Sequence, residues 1–130
     1  MKNRAMILPT ALCLFLIVMA AGTGFLMLMS DGYLSASKNG FTHGAYYCAY
    51  SGVMYASVKM QEDPAWTAPP QGEVFTIPTG TALVKTAPGP PGTLVVTSEG
   101  RYTTEGKVRA TSRIQATLGA LGIVEWKNLP

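Results

Sequence analysis

A long, predominantly apolar run without a charged residue occupies residues 5–30. No charged residue lies between Arg4 and Asp31, and the segment reads AMILPTALCLFLIVMAAGTGFLMLMS. A helix needs about 20 apolar residues to cross the hydrocarbon core of a bilayer. Lys2 and Arg4 precede the run without an acidic residue, which by the positive-inside rule places the N-terminus in the cytoplasm. The pattern predicts a transmembrane segment over residues 6–30, preceded by a cytoplasmic leader, residues 1–5.

A cleaved secretory signal is the alternative interpretation of this run. Such signals have an apolar core of about 7–15 residues followed by a small-x-small cleavage site. The small residues of MAAGTG, from Met19 to Gly24, offer such a site, but apolar residues then resume in FLMLM. Length therefore favours a retained helix. A lipoprotein needs a cysteine after a small residue, whereas Cys13 follows Leu12.

Beyond the run, apolar and small residues recur every three or four positions, the spacing of one helix face. They are Tyr33, Leu34, Phe41, Ala45, Cys48, Ala49, Gly52, Val53 and Ala56. No proline lies between Thr10 and Asp63, after which EDPAWTAPPQG brings three prolines and a glycine. We predict that the helix continues through residues 31–61, although each internal glycine weakens it by up to about 1 kcal/mol.

Short β-branched runs fill the remainder, residues 62–130. EVFTIP and TALVKTA precede the breaker PGPPG, and two longer runs then meet at Glu105-Gly106, a hairpin-type turn. In the last run, alternation places Val108, Ala110 and Ser112 on the apolar face that Ile114, Ala116 and Leu118 continue. The predicted fold is α+β. A long N-terminal helix packs its outer half on a small antiparallel sheet of about four strands.

Charge and side-chain chemistry argue against catalysis. The net charge of +3 is scattered, so no basic cluster predicts nucleic-acid binding. His43 has no cysteine or carboxylate at metal-ligand spacing, and no phosphate-binding or nucleophile motif is present. Cys13 and Cys48 are interpreted as small buried hydrophobes. We predict no catalytic, cofactor or metal site and no enzymatic activity.

The segment from Ala45 to Ala56, AYYCAYSGVMYA, with the apolar run before it, resembles the N-terminal helix of PilX-like minor pilins and K-type pseudopilins. The sheet region TLVVTSEGRYTTEGKVRATSRIQATL is similar to the tail of that family. The resemblance implies a structural subunit of a type IV pilus or type II secretion-type filament. Its partners would be other pilin-like subunits, the inner membrane and a prepilin peptidase. The chain would cross the inner membrane once, with its C-terminal domain outside.

The resemblance also implies roles for individual residues. The processing junction would be Ala5, Met6, with Ala5 where the family has glycine, and Thr10 stands where the family has a glutamate. That replacement is similar to subunits that initiate or cap filaments. Close packing between helices of neighbouring subunits would use Gly22, Gly24, Gly32, Gly40, Gly44 and Gly52. Packing of the helix on its sheet would use Tyr46, Tyr47, Tyr50 and Tyr55. Because one face of a helix covers only one sheet, we expect about half of these tyrosines to pack on the sheet and the others to face the helix bundle.

A non-filamentous, single-pass envelope protein with a small partner-binding β domain is the second hypothesis. The two hypotheses differ at the N-terminal junction and in the continuity of the helix across Gly32, Gly40 and Gly44.

Overall fold

A computed structural model describes residues 4–129 of the chain, with side chains from residue 9 onwards. Its elements are α1 (Arg4–Glu62), β1 (Glu73–Ile77), β2 (Gly80–Pro88), β3 (Thr93–Thr104), β4 (Lys107–Gly119) and β5 (Gly122–Leu129). The chain divides into two compact units, Met1–Lys38 and Asn39–Pro130. The predicted α+β class is confirmed, with a sheet of five strands where about four were expected.

Helix α1 is one continuous element that includes Gly32, Gly40 and Gly44 without a break. Its last turn carries Lys59, a cation at the negative end of the helix dipole. Directly after the helix, the Asp63 carboxylate accepts a hydrogen bond from the Ala65 amide at 2.9 Å. The prolines of the next segment then prevent the helix from continuing. The helix therefore ends within one residue of the predicted position.

The five strands form an antiparallel meander in the order β1-β2-β3-β4-β5. The β3–β4 hairpin turns at Glu105 and Gly106, whose φ angles are 54° and 74°. Two successive positive φ angles are typical of the type I′ turn, whose twist matches that of the flanking strands. The predicted hairpin turn is thus confirmed.

A β-bulge in β4 changes which way one side chain faces. Tyr102 pairs with Ala110 but Thr103 pairs with Val108, so Arg109 is an extra residue on β4. One extra residue reverses the alternation beyond it. Val108 is accordingly 56% exposed. Its predicted place on the apolar face with Ala110 was wrong.

The hydrophobic core of the second unit lies between α1 and one face of the sheet. Helix α1 contributes Ala45, Cys48, Ala49, Val53 and Ala56 to it. The three central strands contribute Ala82, Val84, Leu94, Val96, Ile114, Ala116 and Leu118. This arrangement agrees with the prediction that the outer part of the helix covers the apolar side of the sheet.

At Gly100 in β3 the helix backbone lies directly on the sheet. A Cβ atom added at Gly100 would be 2.1 Å from the Ala49 amide nitrogen and 2.3 Å from the Ala45 carbonyl oxygen. Real Cβ atoms essentially never lie within 3.0 Å of a heavy atom outside their own residue and its two chain neighbours. Gly100 is therefore the position on the sheet that allows the backbone of α1 to approach.

Next to this contact, Ser98 places a hydroxyl in the dry interface. Its side chain is fully buried, and its Oγ has no hydrogen-bond partner among the described residues. We expect Ser98→Ala to raise the free energy of unfolding by about 1 kcal/mol, because an unpaired buried hydroxyl is unfavourable. The measurement is denaturant unfolding of the full chain in detergent, followed by tryptophan fluorescence.

Ser98→Thr provides the contrast, since a Cβ at Gly52 would already lie only 2.3 Å from the Ser98 Oγ. An added methyl group has no space there, so this variant should be less stable than the wild type. A loss of stability in Ser98→Ala would contradict the prediction and show that the hydroxyl has a partner.

Candidate functional site

The apolar part of α1 is a continuous exposed surface within this chain. Residues 9–36 are all exposed, among them every large hydrophobic side chain from Leu12 to Leu34. The helix is long and apolar enough to cross a membrane. Such a surface is stable only when lipid or other apolar helices cover it. This surface is the first part of the candidate site.

Four of the six glycines predicted for contacts between helices lie on open helix surface. A Cβ atom added at Gly22, Gly24, Gly32 or Gly40 would meet no described atom within 4 Å. Their role between helices stays a prediction.

The other two, Gly44 and Gly52, face the chain's own sheet. A Cβ at Gly44 would lie 2.5 Å from the Tyr102 ring, and one at Gly52 would lie 2.3 Å from the Ser98 Oγ. These two glycines serve helix–sheet packing rather than the predicted contacts between helices.

Gly44 and Gly52 belong to a stripe of small residues on α1. Gly44, Cys48, Gly52 and Ala56 recur every four positions, which aligns them along one face of the helix. Opposite them, a Cβ at Gly80 in β2 would lie 3.0 Å from the Cys48 Sγ. Small residues on both surfaces allow the backbone of the helix to approach the sheet closely.

The tyrosines predicted for helix–sheet packing divide between two environments. Tyr55 stacks on Phe75 of β1 with ring centroids 4.9 Å apart, and Tyr50 lies 5.5 Å from the Trp126 ring of β5. Tyr46 packs against the core cluster that contains Val53 and Ile114. These three therefore flank the helix–sheet contact at both edges of the sheet.

Tyr47 differs from the other three tyrosines. Its side chain is 66% exposed, and its ring contact is an edge-on approach to Tyr46 at 6.0 Å. It points away from the sheet, so it does not have the predicted helix–sheet role. Helical spacing explains the division, because four tyrosines over ten residues occupy more than one face.

Tyr55 also holds the first strand to the helix through a polar contact. Its hydroxyl donates a hydrogen bond to the Glu73 carboxylate at 2.6 Å. This bond, which favours the protonated phenol, raises the pKa of Tyr55. The aromatic stack and the hydrogen bond together fix the edge strand β1.

Cys48 is buried in the interface, whereas Cys13 is exposed, and both are free thiols. Burial raises the pKa of the Cys48 thiol, an effect only partly opposed by a hydrogen bond with Thr79. A thiol with a raised pKa is a poor nucleophile. Cys48 therefore packs as a small apolar side chain, as predicted from the sequence.

A cleft of about 650 Å³ lies at the C-terminal end of α1. Met60 and Trp66 pack on the buried cluster of Leu94 and Leu118 and form its apolar wall. Polar groups of Ser57, Gln61, Thr67 and Thr93 complete the lining. Its volume is within the range of ligand pockets, about 300–1,000 Å³. No charged side chain lines it among residues 9–129.

The face of the sheet opposite α1 carries an ion-pair network centred on Glu99. Its carboxylate accepts hydrogen bonds from Arg101 at 2.8 and 2.9 Å and from Arg113 at 3.0 Å. Arg101, and then Arg113, lower the pKa of the Glu99 carboxyl. Because all three carboxylate bonds come from two strands, the network ties β3 to β4 on the exposed face.

Metal-binding chemistry has no support in the part of the chain that the structure describes. There, no group of three or more His, Cys, Asp or Glu side chains could hold a metal ion. The absence of enzymatic activity and of a cofactor remains a prediction from the sequence.

The predicted leader, residues 1–5, and the predicted junction lie at the N-terminal limit of the residues that the structure describes. Residues 1–3 and the side chains of Ala5 and Met6 lie outside the described residues. Processing at this junction therefore stays a prediction.

Comparison of the chain with protein-family models, curated proteins and solved structures found no match in any of the three.

Proposed function

We propose that this chain is a minor pilin-like subunit of a type IV pilus or type II secretion-type filament, anchored in the inner membrane. The observation that carries the proposal is that one helix, Arg4–Glu62, presents two different surfaces in succession. Its first part exposes an uninterrupted apolar surface, and its last turns cover an antiparallel sheet. A filament subunit uses the first surface in two settings. In the membrane this surface contacts lipid, and in the filament it contacts the helices of neighbouring subunits.

The mechanism that follows is assembly rather than catalysis. In the membrane, lipid covers the apolar segment and stores the subunit. Extraction into a filament replaces lipid with the helices of other subunits, and Gly22, Gly24 and Gly32 allow those helices to approach closely. The sheet domain remains outside the membrane. Thr10, in place of the acidic residue of the resembling families, supports a role in initiation or at the tip.

Mass spectrometry of the mature N-terminus tests the proposal, using cells with and without the prepilin peptidase. We expect a chain that begins at methylated Met6 only when the peptidase is present. Ala5→Gly restores the residue that the resembling families have before the junction, and it should increase the processed fraction. Ala5→Leu, which enlarges the side chain at the same position, should reduce that fraction.

Two other outcomes would contradict the filament subunit. A chain that starts near Gly22 or Phe25 would identify the apolar run as a cleaved signal peptide. An intact Met1 in both strains would support the second hypothesis, a non-filamentous single-pass protein whose β domain binds a partner. The cleft at the end of α1 is the observation that favours this second hypothesis.

A further inference from the structure

The cleft at the C-terminal end of α1 is lined by hydrogen-bonding groups that the chain itself does not use. Ser57, Gln61 and Thr67 line it, and none of their side chains makes a hydrogen bond with another residue in the described part of the chain. The indole nitrogen of Trp66, which also lines the cleft, makes none there either. Two hydroxyls, one amide and one indole N–H are therefore unpaired within residues 9–129.

These polar groups share the cleft with an apolar wall. Ser57 and Gln61 are four residues apart in α1, so they lie on the same face of the helix. Met60 and Trp66 line the same cleft and pack against the buried core of the second unit. The cleft therefore offers hydrogen bonds and apolar contacts to one ligand.

The lining of the cleft disfavours charged ligands and purely apolar ones. Among residues 9–129, no Asp, Glu, Lys, Arg or His side chain lines it. A carboxylate, a phosphate or an ammonium group would lose its hydration there without gaining an opposite charge. An acyl chain would cover the hydroxyls and the amide without replacing the hydrogen bonds that water gives them. The lining therefore favours a neutral ligand that carries both hydrogen-bonding groups and apolar C–H groups.

A peptide also combines these two kinds of group, but the cleft lacks the strand edge that an extended peptide would extend. Such peptides bind by adding a strand to a free edge of a sheet. The cleft lies at the ends of β3 and β4, and each of these strands already has a neighbour on both sides. The edge strand β5 contributes only its first residue, Gly122.

We propose that this cleft is a binding site for a neutral saccharide. The hydroxyl groups of a sugar donate and accept hydrogen bonds, as the hydroxyls of Ser57 and Thr67 and the amide of Gln61 do. The C–H groups of the sugar ring provide the apolar surface that Met60 and Trp66 contact. The cleft volume of about 650 Å³ is within the range of ligand pockets. This site is independent of the proposed filament role, since it includes neither the apolar segment nor the N-terminal junction.

Saturation-transfer difference NMR of the full chain tests this site. The detergent is lauryldimethylamine oxide, because a detergent with a sugar headgroup would compete for the cleft. The probes are the methyl glycosides of glucose, galactose, mannose and N-acetylglucosamine. Methyl glucuronide and methyl glucosaminide are the charged counterparts, cyclohexanol is a ring with a single hydroxyl, and acetyl-Ala-Gly-Ala-amide is a neutral peptide. We expect at least one neutral glycoside to bind more tightly than each of these other compounds.

Substitutions that remove single polar groups locate the binding. Gln61→Leu and Thr67→Val should each weaken binding of the preferred glycoside by about fivefold, the effect of losing one hydrogen bond. Gln115→Leu and Thr97→Val are the matched controls. They make the same changes at a cross-strand pair on the face of the sheet opposite α1, so binding should stay at the wild-type level.

A fluorescence titration reports on the cleft directly. Trp126→Phe leaves Trp66 as the one tryptophan of the chain. Its emission should shift as the glycoside is added and should saturate with the dissociation constant found by NMR. Unchanged emission with intact NMR binding would place the sugar elsewhere and overturn the assignment of the cleft.

Other outcomes would overturn the saccharide site itself. The proposal fails if none of the neutral glycosides binds, or if the Gln61 and Thr67 variants bind as tightly as their controls. Tighter binding of cyclohexanol or of the peptide than of every glycoside would show an apolar site or a peptide site instead. The mass of the mature N-terminus, which tests the filament role, is independent of all these results.

Discussion

Gly100→Ala is expected to lower the free energy of unfolding by about 3 kcal/mol or more, at the upper end of what overpacking causes. The added methyl group would lie 2.1 Å from the Ala49 amide nitrogen and 2.3 Å from the Ala45 carbonyl oxygen. These are backbone atoms of a helix, so no side-chain rotation relieves the clash. The helix must lift away from β3, which loosens the core contacts on both sides. Unfolding of the full chain in detergent, followed by the fluorescence of Trp66 and Trp126, measures the change.

Gly40→Ala is the matched control for this prediction. Like Gly100→Ala, it adds one methyl group, but it does so in α1, at a position where an added Cβ would meet nothing within 4 Å. Alanine is more favourable than glycine in a helix by up to about 1 kcal/mol, so this variant should be slightly more stable than the wild type. If Gly100→Ala were as stable as Gly40→Ala, the helix would not rest on β3 at Gly100.

The features that the sequence predicted well are those with long local patterns. The apolar run and the helical spacing after it extend over more than fifty residues, and the prolines after Asp63 mark their end. The Glu105-Gly106 turn has a local signal of equal strength, since glycine suits the positive φ angle of 74° found there. In each case the information lies in consecutive residues, so no knowledge of tertiary contacts is needed.

Features that depend on how two strands pair, without a signal in the residue types, escaped prediction. β5 escaped prediction because the turn before it consists of Ala120 and Leu121, which do not mark a hairpin by residue type. The bulge at Arg109 is visible only in the register between β3 and β4. It moved Val108 to the other face, although simple alternation in the sequence gives the opposite result.

The glycines of α1 show the same limit more sharply. Gly40 and Gly44 are four residues apart on one helix, yet only Gly44 contacts the sheet. The difference depends on Tyr102, which lies far along the chain in β3. Sequence spacing identifies a small residue that permits close approach, but it does not identify which surface approaches. Predicting that surface requires the position of the sheet on the helix.

Leu16→Arg together with Val18→Arg is expected to remove the chain from the membrane. Each arginine near the centre of a transmembrane helix is unfavourable by about 2.5–3.5 kcal/mol on insertion scales, so the pair amounts to about 5–7 kcal/mol. Both side chains are exposed on α1 near the middle of the charge-free run, and two residues of separation place them on different sides of the helix. They therefore cannot share one polar partner. We expect at least a tenfold loss of chain from the carbonate-resistant membrane fraction, measured by immunoblot.

Val74→Arg together with Val108→Arg makes the same change in charge on the β domain, where both valines are exposed. This control should remain in the membrane fraction at the wild-type level, because neither position lies in the apolar segment. If the variant with Leu16→Arg and Val18→Arg stayed in the membrane fraction to the same extent as the control, residues 6–30 would not span the bilayer. Loss of both variants would instead indicate a general effect of added charge on the amount of folded protein. The prediction therefore depends on the position of the charge, and only a helix that needs an apolar surrounding over residues 6–30 gives different results for the two pairs.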